Sequence, residues 1–146
     1  MKGNGQLDLF GGLTPVDRFP ADRIRAATCA ARIARAVAEA IKNASMSRAD
    51  IAKAMSEHLG ESVTPGMLDQ YTSTANERNN IPAHRLIALV AVIGDVRVLN
   101  AALQDTAFVA IDTAYEPLLR RELAKEARDQ LDRAINDADT QWRAAR

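Results

Sequence analysis

The chain has 146 residues, a formal net charge of zero and one cysteine, Cys29. This length suits one domain that buries a core without covalent staples, and a single cysteine excludes an intrachain disulfide framework. No CxxC pair or Cys/His cluster is present, so we expect no metal and no cofactor, and we expect Cys29 to be a buried, inert thiol. No apolar run approaches the ~20 residues that cross a bilayer, and the first ten residues do not read as a secretory signal, so we expect a reducing cytoplasm.

Charge is unevenly distributed along the chain. Residues 17–42 carry six basic and three acidic side chains, residues 43–100 carry five and six, and residues 101–146 carry seven and nine. Any surface for nucleic acid must therefore be local, because the whole molecule exerts no long-range attraction on phosphate.

The first twenty residues contain four of the seven glycines and two of the five prolines. That density predicts a flexible tail over residues 1–20 and an ordered domain that begins near residue 21. An alanine-rich helix is then predicted over residues 21–45, where the apolar positions at helical spacing are Ala27, Ala31, Ala34, Ala38 and Ile41, with Val37 beside them. Four basic side chains are expected on one flank of this helix, either as a solvated face or as a surface for phosphate: Arg25, Arg32, Arg35 and Lys42.

Two further helices are predicted on either side of a short turn. Ser47, followed three residues later by Asp50, is typical of a capping box, and Gly60 marks the end of the first helix. Thr64 is the expected N-cap of the second helix, with Pro65 at its first position. The predicted inward residues are Ile51, Ala52, Met55 and Leu59 in the first helix and Met67, Leu68 and Tyr71 in the second.

The remainder of the chain is also predicted to be helical. After a polar loop at residues 73–80, residues 82–93 read as the most buried helix, with an apolar circumference that includes Leu86, Ile87 and Leu89. A shorter helix follows Gly94-Asp95. We therefore predict an all-α fold, with a helix-turn-helix domain of about five helices at residues 21–110 and a C-terminal amphipathic helix at residues 111–146.

The C-terminal helix carries one apolar stripe and many charges. The stripe comprises Leu119, Leu123, Ala127, Leu131, Ile135, Ala138 and Trp142. A helix of roughly 28 residues extends about 40 Å, longer than a small core requires. We expect it either to form a homodimer with a second copy or to fold back over its own domain.

The residues that perform chemistry in enzymes are few and scattered. The two histidines are His58, next to the turn, and His84, at the start of the most apolar helix, where a capping or core role is expected. No HExxH, GxSxG or glycine-rich phosphate loop occurs. We expect a protein that is not an enzyme.

Four short patterns follow one another along the chain in a characteristic order: Ile51-Ala52, Thr64 to Leu68, Leu86-Ile87-x-Leu89 and Gly94-Asp95. In this pattern the stretch Ile51 to Asp105 resembles phage helix-turn-helix regulators of the Cro/repressor and CII-like types. The whole chain resembles small proteins from the early region of Mu-like transposable phages. The resemblance implies a non-enzymatic regulator of phage or mobile-element gene expression that binds double-stranded DNA in a bacterial or phage-infected cell.

The second helix of the motif would then be the recognition helix. Thr64, Gln70 and Ser73 are the candidates nearest the bases, and Asp69 beside them would repel phosphate. Because this helix has no arginine or lysine, the backbone contacts would have to come from the basic flank of the first helix, from Arg48 and Lys53, or from Arg78 in the loop. Reuse of the motif for protein contact is the alternative.

A separate short pattern lies in the N-terminal tail. Gln6-Leu7-Asp8-Leu9-Phe10 resembles the linear motif by which bacterial polymerases and replication regulators dock on the β sliding clamp. The resemblance implies that the glutamine anchors one end while the leucines and the aromatic ring enter an apolar pocket. The alternative is an N-terminal clasp, in which these apolar residues fold back on the domain.

Overall fold

The computed structural model describes residues 15–75 and 77–146, and among them every regular element is a helix. The predicted all-α fold is confirmed. The α-helices are α1 (Ala21–Ile24), α2 (Cys29–Asn43), α3 (Arg48–Leu59), α4 (Pro65–Tyr71), α5 (Ala83–Ile93), α6 (Arg97–Ala102) and α7 (Glu116–Ala144). Short 3-10 turns stand at Glu77–Asn79 and Thr113–Tyr115. The chain divides into two compact units after Ile111.

The helix predicted over residues 21–45 is two helices. Arg25 has an extended backbone, with ψ at 124°, and ends α1 after one turn. The Thr28 side chain then accepts a hydrogen bond from the Ala31 amide and starts α2 as its N-cap. A capping hydroxyl satisfies one free amide of a first turn, so the chain bends here even though its alanines favour a continuous helix.

The core of the first unit lies between two sets of helices. α2 packs against α1 and α6, while α3 packs against α5 and α4. The largest side chains with almost no exposure are Val37, Ile51, Met55, Leu68, Leu89 and Val98. The inward faces predicted for α3 and α4 are confirmed, with Leu59 and Met67 packed at the edge of the core.

The sequence prediction for α5 was wrong about which helix is most buried. Only Ala88 and Leu89 of α5 are buried, and Ile87 is 53% exposed. α2 and α3 each bury more residues than α5 does. Apolar side chains surround α5, and periodicity cannot select one face of a helix that is apolar on all sides.

The segment before α1 is part of the packed unit. Phe19, which the sequence places in the tail, is 5% exposed and belongs to the core. The guanidinium of Arg97 lies 4.3 Å from the centre of its ring. Asp95 holds that guanidinium through two hydrogen bonds of 2.9 and 2.8 Å, so the start of α6 covers the aromatic ring.

Buried Asn100 in α6 joins two distant segments to the unit. Its amide nitrogen donates to the carbonyl oxygens of Asp17 and Ala110, at 2.8 and 3.0 Å. Its amide oxygen accepts from the Ala110 nitrogen at 2.7 Å. One side chain thus satisfies three backbone groups in segments that have no helical partners of their own.

The second unit consists of the Thr113–Tyr115 turn and α7. The Asp112 carboxylate accepts from the Ala114 amide at 2.8 Å and caps the turn, and Pro117 lies in the first turn of α7. No residue of α7 is buried. Leu123, Leu131 and Trp142 are 61–66% exposed.

None of the described helices combines the length and the apolar character needed to cross a membrane.

Candidate nucleic-acid interface

The helix pair predicted from the caps is present at α3 and α4. The Ser47 hydroxyl accepts from the Asp50 amide at 3.1 Å and donates to its carboxylate at 2.7 Å, which begins α3. Gly60 ends α3 in the left-handed region, with φ at 68°. The Thr64 side chain accepts from the Met67 amide at 3.2 Å and begins α4. Local side-chain chemistry therefore sets both ends of the turn.

Two contacts that the sequence did not reveal make the turn rigid. Ser56 faces Val63 across the turn, where its hydroxyl accepts from the Val63 amide at 2.8 Å and lies 3.0 Å from the Val63 carbonyl oxygen. Val63 itself is 5% exposed and enters the core. The turn between α3 and α4 is thus fixed by burial as well as by hydrogen bonds.

Arg85 of α5 links the turn to α4. Its Nε donates to the Glu61 carboxylate at 2.9 Å, and its Nη1 donates to the Tyr71 hydroxyl at 2.6 Å. A second contact to Glu61 comes from His84 Nε2, at 3.0 Å. Because Glu61 lies in the turn and Tyr71 ends α4, this group holds the helix pair against α5.

These contacts also shift two pKa values. The hydrogen bond from Arg85, followed by that from His84, lowers the pKa of the Glu61 carboxyl below its ordinary value of 4.5. The hydrogen bond to Glu61, followed by that to Tyr71, raises the pKa of Arg85. Both directions favour the ion pair, so Arg85 and Glu61 remain charged near neutral pH.

His84 has a different role from the one predicted. It is exposed and neither caps α5, whose N-cap is Pro82, nor enters the core. Its Nε2 instead contacts the Glu61 carboxylate in the turn. Within the described residues, no group of three or more His, Cys, Asp or Glu side chains is placed to hold a metal ion.

α4 presents a polar outer face. Leu68 and Tyr71 are buried, whereas Thr64, Gln70 and Ser73 are exposed. The three candidates named for base contact are therefore all accessible to solvent. An amide and two hydroxyls provide both donors and acceptors of the kind that read base edges in a DNA groove.

The three basic candidates lie on two elements, α3 and the 3-10 turn that follows α4. Lys53 is exposed on α3, and Arg78 is exposed in the 3-10 turn that follows α4. Arg48, at the start of α3, is ion-paired with Asp69 of α4. Asp69 directly precedes Gln70, so the structure places Arg48 beside this part of α4. The negative charge of Asp69 is therefore already paired with the positive charge of Arg48.

The basic flank predicted for the first helix contains one member that is not at the surface. Arg32 is 8% exposed; its Nε donates to the Ala101 carbonyl oxygen at 2.9 Å, and its Nη2 contacts Asp105 at 2.6 Å. It holds the end of α6 and is not placed to contact phosphate. Arg25, Arg35 and Lys42 are exposed.

Cys29 corrects a second prediction about the same helix. It is exposed as the first residue of α2, not buried. The first turn of α2 projects beyond the packed part of the helix, whose buried residues begin at Arg32. An alanine-rich neighbourhood indicates helix formation but not the point at which burial begins.

The tail motif Gln6-Leu7-Asp8-Leu9-Phe10 lies outside the described residues. Comparison with known proteins adds no assignment: no family model matches this chain, and no curated protein or solved structure is significantly similar to it.

Proposed function

We propose that this protein is a non-enzymatic regulator that binds double-stranded DNA through α3, the turn and α4, and that it acts in the expression of phage or mobile-element genes in a bacterial cell. The observation that carries the proposal is the helix pair itself, clamped by Arg85 and Glu61 with Gln70 and Ser73 on its open side. The resemblance to phage helix-turn-helix regulators supplies the regulatory role.

Each exposed residue has a distinct part in the proposed complex. Gln70 pairs with a base edge, since a glutamine amide matches the donor and acceptor of adenine in the major groove. Ser73 and Thr64 add hydroxyl contacts. Arg48, Lys53 and Arg78 contact the phosphate backbone, which positions the protein without reading sequence.

The zero net charge of the chain sets the conditions for a test. Binding is expected to be strong only at low salt, about 50 mM, because few phosphates are neutralised. Fluorescence anisotropy with a pool of labelled duplexes measures binding, and selection of the bound duplexes gives the preferred site. Loss of all retention at this salt concentration overturns the proposal.

Two triple variants locate the surface. Changing Arg48, Lys53 and Arg78 to glutamine is expected to weaken binding to every duplex. The salt dependence of the binding constant should fall by the equivalent of up to about three phosphate contacts. Arg18→Gln, Arg23→Gln and Arg133→Gln together are the matched control, since the same charge is removed from exposed positions outside both candidate basic surfaces. An equal loss in both variants places the binding surface elsewhere.

A single substitution tests the base contact. Gln70→Ala is expected to cost about 1–3 kcal/mol for the selected duplex and little for unrelated duplexes. Gln104→Ala is the control, since Gln104 is also exposed but lies beyond α6. Equal loss for all duplexes contradicts a reading role for Gln70.

We also propose that the chain acts as a dimer through α7, whose large apolar side chains are exposed along its length. Sedimentation of the full chain measures this directly. A monomer at all accessible concentrations contradicts it without affecting the proposal for α3 and α4.

The second candidate function is binding to the bacterial β sliding clamp through Gln6 to Phe10, which would modulate replication. All five residues fit the docking pattern, and apolar anchors of this kind are worth roughly 1.5–3 kcal/mol each before ordering costs. Leu9→Ala with Phe10→Ala is expected to abolish capture by immobilised clamp, whereas Leu13→Ala leaves it intact. Capture that survives the double substitution removes this candidate.

A further inference from the structure

We propose that two copies of α7 pair antiparallel, with their crossing point at Leu131. This inference rests on the dimer proposed above and is independent of DNA binding. A second copy of this chain then covers the exposed face of α7, in one direction and one register.

The face that would be covered is a narrow apolar stripe. At 100° per residue its members fall within an arc of about 120°. This arc leaves out Leu119 of the predicted stripe and adds Ala124 and Ala134, so the members are Leu123, Ala124, Ala127, Leu131, Ala134, Ile135, Ala138 and Trp142. Leu131, Ile135 and Trp142 are 58–65% exposed, so nothing within the second unit covers the stripe.

Arg120 continues the stripe at its N-terminal end and decides the direction. In a parallel pair two Arg120 side chains would face each other across the seam, which like charges disfavour. In an antiparallel pair crossing at Leu131, Arg120 meets Trp142 of the other copy. The Trp142 ring already has a guanidinium, that of Arg146, 4.7 Å from its centre, so this face suits a cation.

Side-chain size along the stripe agrees with the same register. Antiparallel pairing at Leu131 places Ala127 opposite Ile135 and Ala124 opposite Ala138. A bulky residue thus meets a small one in the first pair, while two small residues allow close approach in the second.

The distribution of charge along α7 also favours the antiparallel direction. Residues 120–128 carry four basic and two acidic side chains, and residues 131–139 carry one basic and three acidic. An antiparallel pair brings the same flank of both helices together, which places Arg121 near Asp139 and Arg128 near Asp132 of the second copy. Symmetry doubles the two pairs to four. Within the described residues, neither of these aspartates has an ion-pair partner. Arg121 and Arg128 contact Glu122 and Asp129 of their own helix, at 3.2 and 3.5 Å, through pairs whose side chains are all more than half exposed.

Cysteine cross-linking of the full chain tests the direction. Exposed Cys29 is first changed to serine so that it does not react, and Ala124→Cys and Ala138→Cys are then made separately. In an antiparallel pair, the same position on the two copies is about 21 Å apart along the axis, far beyond disulfide reach. A disulfide dimer is therefore expected when the two variants are mixed and oxidised, and neither variant alone is expected to form one.

The other outcomes are equally decisive. Cross-linking of each variant with itself shows a parallel pair and overturns the inference, as does the absence of any cross-link in the mixture. Sedimentation of the uncross-linked Cys29→Ser chain is run in parallel, so that failure to dimerise at all is distinguished from dimerisation in another direction. Retention of DNA is measured on the same samples and reports on α3 and α4 separately.

Discussion

Arg48 of α3 and Asp69 of α4 form an ion pair on the face proposed to meet DNA. Their side chains are 39% and 62% exposed, so solvent and a ligand both have access to them. An exposed pair of this kind is worth at most about 1 kcal/mol, and a DNA phosphate competes with Asp69 for the same guanidinium. Asp69 therefore weakens DNA binding in the proposed complex without preventing it.

Asp69→Asn is expected to raise the affinity for every duplex about three- to tenfold at low salt. The change frees Arg48 for phosphate and removes a negative charge from the contact face. Fluorescence anisotropy across a salt series measures both the affinity and its salt dependence. The salt dependence should become steeper by the equivalent of about one phosphate contact. Asp22→Asn, at an exposed position on α1, is the charge-matched control. Unchanged or weaker binding by Asp69→Asn would show that Arg48 does not contact DNA.

Arg32→Met is expected to lower the free energy of unfolding by about 2 kcal/mol. The buried guanidinium loses its hydrogen bonds to Ala101 and Asp105, while the methionine retains part of the packing of the arginine stem. Urea denaturation measures the loss. Arg35→Met, three residues along the same helix and exposed, should stay within about 0.5 kcal/mol of the unchanged protein. A similar effect of both substitutions would contradict a structural role specific to Arg32.

Asn100→Ala is expected to cost about 3 kcal/mol, roughly 1 kcal/mol for each backbone hydrogen bond lost. Asn100→Asp should be no better, because a carboxylate cannot donate to the carbonyl oxygens of Asp17 and Ala110. Thermal and urea unfolding are the measurements, with exposed Gln104→Ala as the reference. A stable Asn100→Asp variant would mean that these donated bonds contribute little.

The stability contributed by Glu61 is expected to disappear in acid. The pKa of Glu61 in the folded protein lies below 4.5. Its contribution to the free energy of unfolding is therefore complete at pH values above the ordinary glutamate pKa, and it is lost as the pH falls through the lowered pKa of the folded state. Melting temperatures of the unchanged protein and Glu61→Gln should therefore differ most near neutrality and converge in acid. In an Arg85→Met background the difference near neutrality should shrink. A difference that persists at low pH would contradict this assignment.

The caps of the helix pair could be predicted because each depends on residues close in the chain. Ser47, Gly60 and Thr64 act on amides or carbonyls within four residues, and a local pattern contains all that such contacts need. The exposed positions of Gln70 and Ser73 followed from the spacing of the inward residues Met67, Leu68 and Tyr71. The clamp at Arg85 could not be predicted in this way, because its partner Glu61 is 24 residues away.

The burial of side chains could likewise be predicted from the sequence only in part. The sequence by itself determined that the chain is helical, where α3 and α4 begin and end, and that α7 carries an apolar stripe. Only the tertiary structure decided that Arg32 is buried, that Ile87 is exposed and that Phe19 belongs to the core. Helix periodicity reports which residues share a face, but burial depends on what packs against that face. For Arg32 the partners are Ala101 and Asp105, 69 and 73 positions away, and only the folded chain brings them together.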